Sequence, residues 1–106
     1  MSDNAQTSTL KLIADLWERS QPLIEERLAQ LDAAATAAHA GLLANSQRAE
    51  AESTAHKLSG SLGMFGFHEG TEHARGLEAE LHHSKPDPGR LTELSRALRD
   101  SLHPKH

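Results

Sequence analysis

Three observations predict an all-α fold for this chain of 106 residues. Apolar residues recur at i, i+3, i+4 and i+7 through most of its length, the spacing of one face of a helix. Alanine, leucine, glutamate and arginine dominate, whereas aromatic residues make up 3% and β-branched residues are scarce, so propensity favours helix over sheet. Proline and glycine are gathered in a few short stretches, where they punctuate the periodic segments.

The elements follow in order. Leu10, Ile13, Leu16 and Trp17 form a short apolar stripe behind Thr7, Ser8 and Thr9, any of which suits an N-cap. Gln21-Pro22 is expected to end or re-aim this first helix, because proline fits the first turn of a helix and not its interior. A second helix carries Ile24, Leu28, Leu31 and Ala35 and ends near His39-Ala40-Gly41. Asn45 or Ser46 then caps a third, whose core stripe is Ala51, Ala55, Leu58, Leu62 and Phe65. A turn is expected around Gly66 to Gly70, with Gly66 as a helix terminator or left-handed cap. Ala74, Leu77 and Leu81 mark a fourth helix, and Ser84-Lys85-Pro86-Asp87-Pro88-Gly89 a loop. Leu91, Leu94, Leu98 and Leu102 define the last helix before Pro104 stops it. The simplest way to bury four such stripes is an antiparallel up-and-down four-helix bundle, here with a short extra N-terminal helix. The expected organisation is one domain over 1–106, flexible at about 1–8 and 103–106.

Composition removes several function classes. The formal net charge is -4 and there is no basic stripe, while Trp17, Phe65 and Phe67 are too few for a stacking platform, so nucleic acid is not the expected partner. No apolar run reaches the ~18 residues that span a bilayer, and residues 1–9 lack the pattern of a signal peptide. With no cysteine there is no disulfide framework and no thiolate chemistry, which fits a cytoplasmic location. No carboxylate pair, nucleotide loop or cofactor fingerprint marks an enzyme in its own right.

The most informative stretch runs from Ala55 to Phe67. At about 100° per residue, Gly60 and Gly63 lie within roughly 40° of His56, while the core stripe points nearly opposite. His56 therefore faces water from a strip without side chains. Each helical glycine costs roughly 1 kcal/mol relative to alanine. Close access to the imidazole by another protein's backbone is the reason this arrangement suggests.

His56, Leu58, Gly60, Ser61, Phe65 and Gly66 resemble the phosphoacceptor motif of histidine-containing phosphotransfer (HPt) domains, which reads roughly His-x-Leu-Lys-Gly-small-small-x-x-apolar-Gly. Two positions depart from it: Ser59 stands at the family's lysine, and Leu62 at a usually small position. The resemblance implies that His56 carries a phosphoryl group, that the bundle presents it on a rigid helix, and that the chain is a phosphocarrier without autokinase activity. It also implies partners: a response-regulator receiver domain, which supplies the aspartate and the Mg²⁺, and a sensor histidine kinase. The chain itself binds no cofactor or metal on this reading, and acts as a monomer.

Around His56, Lys57 lies about 100° around the helix and can curl toward a phosphoryl group, and Ser59 lies about 60° to the other side and can donate a hydrogen bond. Both also read as ordinary surface residues. Glu52, one turn before His56, is expected to hold the imidazole until the partner arrives. A docking module with the same Gly60 and Gly63 surface but no phosphorylation is the main alternative. A metal or haem bundle using His68, His73, His82 and His83 with Glu69 and Glu72 is a weaker one, since the spacing is not that of a His-Glu-x-x-His pair.

Overall fold

A computed structural model describes residues 2–102, with side chains from residue 8 onward. Among the described residues it is all-helical: α1 Ser2–His39, α2 Asn45–Met64, α3 His68–His82 and α4 Pro88–Leu102. Each helix packs on its neighbours in the chain, and α1 also packs on α4, which closes a four-helix bundle. Between α1 and α2, Gln30 meets Thr54 and Arg27 meets Ser61, so residue number rises along one helix as it falls along the next.

The core is the set of stripes the periodicity marks. Leu28 and Leu31 of α1, Leu58 and Leu62 of α2, Leu77 and Leu81 of α3, and Leu91 and Leu98 of α4 are fully buried. A polar clasp ties α4 to α1: the Arg99 guanidinium donates to Asp32 Oδ2 at 2.7 Å and to Glu25 Oε1 at 2.9 Å, and the Ser95 hydroxyl donates to Asp32. Burial opposes the Arg99 cation, but its hydrogen bonds and charge attraction to Asp32 and Glu25 outweigh that and raise its pKa.

The N-terminal region differs from expectation. The separate short helix ending at Gln21-Pro22 is not seen, because α1 runs unbroken through Pro22. A proline in a helix interior costs about 3 kcal/mol. Packing on both sides of it offsets that cost. Ile24, Leu28 and Leu31 are buried below Pro22, and above it Trp17 sets its ring against Phe65 at 5.2 Å and Phe67 at 4.6 Å, centroid to centroid. At 1.5 Å per residue, the 38 residues of α1 span about 57 Å, nearly the 58 Å long axis of the molecule. Its first turns accordingly extend past the shorter helices, leaving Leu10 and Leu12 exposed.

Four boundaries also move. Thr7, Ser8 and Thr9 lie inside α1, so none of them caps it. Asn45 is the first residue of α2 instead of its cap, and its side chain accepts from Arg48 Nη2 at 2.9 Å. The turn expected to reach Gly70 ends earlier: α3 starts at His68, and Gly70 is a buried packing position where a Cβ would meet Leu62 and Ser101 at 3.2 Å. Similarly, Pro88 and Gly89 open α4, with Asp87 Oδ1 accepting from the Gly89 amide at 2.9 Å as the cap. The expected stop at Pro104 and the expected flexible tail at 103–106 lie outside the described residues, as does Met1.

Gly66 performs the capping role its position suggests. Its φ of +81° is left-handed, and the Phe67 amide donates back to the Leu62 carbonyl at 2.9 Å while the Gly66 amide donates to Gly63 at 3.2 Å. This paired closure ends α2 at Met64, two residues after Leu62, and sets Phe67 against Trp17.

Candidate functional site

The two faces of α2 are as different as its sequence implies. Ala51, Ala55, Leu58 and Leu62 are buried, and Phe65 is half-buried against Trp17. On the far side, the His56 side chain is 73% exposed, and Gly60 and Gly63 are exposed beside it. A Cβ at Gly60 would meet nothing within 4 Å, and one at Gly63 would touch only Thr71 Oγ1 at 3.7 Å, an ordinary contact. Neither glycine is therefore required for packing, and the strip is open to an approaching surface.

The partner of His56 is Glu78 of α3, which the sequence reading did not name. Nδ1 of His56 lies 3.0 Å from Glu78 Oε2. An ionised carboxylate only accepts, so the ring proton of this bond sits on Nδ1, and Nε2 is left with its lone pair directed away from Glu78. The ring is thereby fixed in both tautomer and orientation. A stiffly held nucleophilic nitrogen on an open face is the chemical result.

Glu52 does not hold His56. It is already engaged: Oε2 accepts from His82 Nδ1 at 2.9 Å, and Oε1 lies 3.5 Å from Arg48 Nη1. Although one turn places Glu52 on the same side of α2 as His56, the facing helix offers each of them a better-placed partner. Ser59 is likewise committed, its hydroxyl donating to the backbone carbonyl of His56 at 2.7 Å, so its one proton is not directed at the imidazole. Lys57 is exposed on the neighbouring face. The structure thus brings His56, Gly60 and Gly63 together with Glu78, and separates Glu52 from them.

Glu78 and His82 each follow a core residue of α3, Leu77 and Leu81, and so stand at the edge of its buried stripe. That much is visible in the sequence. Which α2 residue each one meets depends on the register between two helices, which no local pattern carries.

Among the described residues, no group of three or more His, Cys, Asp or Glu side chains is arranged to hold a metal ion. No helix among them is long and apolar enough to cross a membrane. Comparison with protein families matches residues 12–103 to the family described as "Hpt domain". Neither the curated proteins nor the solved structures contain a match.

Proposed function

Because the chain belongs to the Hpt domain family, whose members take part in phosphorelays as phosphocarriers, we propose that it relays a phosphoryl group between His56 and the aspartates of receiver domains in two-component signalling. The observation that carries this reading is the His56 imidazole, exposed beside two glycines that packing does not need and held at Nδ1 by Glu78. In the transfer, the His56 Nε2 lone pair forms a bond to phosphorus as the bond from phosphorus to the aspartyl oxygen breaks, and the carboxylate leaves with that electron pair. Such transition states are loose, so the demand on this chain is positioning more than covalent assistance. The ring, substituted at both nitrogens, becomes cationic, and Glu78 faces that charge.

The remaining parts of the reading follow from this role. The partner receiver supplies the aspartate and the Mg²⁺, the upstream donor is a sensor histidine kinase or its receiver, and the chain has no autokinase activity of its own. It works as a cytoplasmic monomer, and its frame is an antiparallel up-and-down bundle, which the opposed pairs Gln30–Thr54 and Arg27–Ser61 support. Docking is expected over Gly60 and Gly63, at the small end of transient interfaces.

A second reading, a docking module that is never phosphorylated, draws on Ser59: no lysine stands there, and the serine hydroxyl is spent on the His56 carbonyl. One experiment separates the two. A phosphorylated receiver domain in Mg²⁺ is mixed with wild type and with His56→Gln, and the product is tested for an acid-labile, base-stable adduct. Label on wild type alone establishes the relay; binding without label on either protein establishes the docking module.

A further inference from the structure

A second imidazole on the α2/α3 face shares the chemical setting of His56. His82, the last residue of α3, holds Glu52 Oε2 through Nδ1 at 2.9 Å and its side chain is 80% exposed. The two pairs exchange helices: histidine on α2 with glutamate on α3, then, one turn along, glutamate on α2 with histidine on α3. At His82 too, the carboxylate fixes the proton on Nδ1, leaving Nε2 as the free nucleophilic nitrogen. The same hydrogen bond orients the ring. His83 is the internal contrast, also exposed but without a carboxylate partner among the described residues.

Charge is the obstacle at this position, since the carbonyl end of a helix disfavours a bound anion. Arg48 answers it. Its Nη1 donates to the Leu81 carbonyl at 2.6 Å and lies 3.5 Å from Glu52 Oε1, with the side chain only 16% exposed. Held also by Asn45, this guanidinium is a fixed cation on the last turn of α3, shared with the Glu52 carboxylate that holds His82. Three residues after His56, by contrast, stands Ser59.

We propose that His82 is a second phosphoacceptor, taking a phosphoryl group at Nε2 from small phosphoramidate or acyl-phosphate donors. The Nε2 lone pair forms the bond to phosphorus as the bond from phosphorus to the leaving group breaks. Ammonia leaves the zwitterionic phosphoramidate, whose nitrogen already carries the proton, or the carboxylate leaves the acyl phosphate, in each case with that electron pair. Nδ1 keeps its proton, and the positive charge left on the ring faces Glu52. The inference stands on the geometry of this pair and does not require His56 to carry phosphate.

The test incubates the full chain with potassium phosphoramidate and follows phosphorylation at His56, His82 and His83 separately by peptide mapping at neutral to basic pH. In wild type and in His56→Gln, His82 is expected to react several-fold faster than His83, because only His82 has its Nε2 held as the free nitrogen by a carboxylate on Nδ1. Glu52→Gln, with its folding checked by circular dichroism, is expected to bring His82 down to the His83 rate. Equal rates at His82 and His83 in wild type overturn the proposal, as does a ratio that Glu52→Gln leaves intact. Label on His82 with none on His56 would instead count against the relay reading and leave this one standing.

Discussion

Replacing Gly60 with alanine separates the needs of the fold from those of the surface. Gly60 lies within α2 without a positive φ, so alanine enters without backbone strain, and its Cβ would meet nothing within 4 Å. The expected result is a gain of about 1 kcal/mol from helix propensity and from a less flexible unfolded chain. For a chain of this size that raises the melting temperature by roughly 4 to 8 °C. Gly66 makes the control, since a Cβ there also meets nothing within 4 Å but φ is +81°. Gly66→Ala should therefore lose about 1 to 2 kcal/mol through its backbone alone. Transfer should move against stability at Gly60. If a partner's backbone passes over this position, one added methyl that weakens the transition state by about 1.4 kcal/mol lowers kcat/KM tenfold, and Gly60→Glu blocks transfer with the fold nearly intact. Thermal melts by circular dichroism and receiver-to-His56 transfer kinetics read both effects. A Gly60→Ala protein that melts lower than wild type would refute the packing argument. Normal transfer by both Gly60 variants would refute the docking surface.

Three further outcomes follow from the same contacts. Leu62 is fully buried and its Cδ1 lies over Gly70, so Leu62→Ala should cost roughly 2 to 5 kcal/mol in urea unfolding, and a smaller loss would mean that the α2/α3/α4 junction collapses around the gap. Glu78→Gln removes the carboxylate from His56 Nδ1 without removing an acceptor; transfer to His56 should slow several-fold, and the imidazole ¹⁵N shifts should show a smaller Nδ1–H fraction, neither of which a purely structural role would produce. Trp17→Ala deletes two ring pairs and should cost about 1 to 3 kcal/mol, with hydrogen exchange quickening in α1 ahead of Pro22 more than in the rest of the helix.

Much of the fold was legible because burial leaves a period in the chain. Leu28, Leu31, Leu58, Leu62, Leu77, Leu81, Leu91 and Leu98 repeat at helical spacing for the reason that each must reach one shared core. The left-handed cap at Gly66 was legible too, since its conformation is a property of one residue at the end of a stripe. Pro22 misled because its local cost is real, yet it is outweighed by Trp17, whose partners Phe65 and Phe67 lie more than forty residues away in the chain.

The site divides in the same way. The sequence by itself determined that His56, Gly60 and Gly63 share an exposed face of one helix, because positions on a single helix are related by its fixed rotation. Only the tertiary structure decided that Glu78 holds His56 and that Glu52 is taken by His82 and Arg48. The physical reason is register. How far α3 slides along α2 is set by the packing of Leu58, Leu62, Leu77 and Leu81 and by Gly70 at the junction, and that sliding selects which surface side chains come within hydrogen-bond reach.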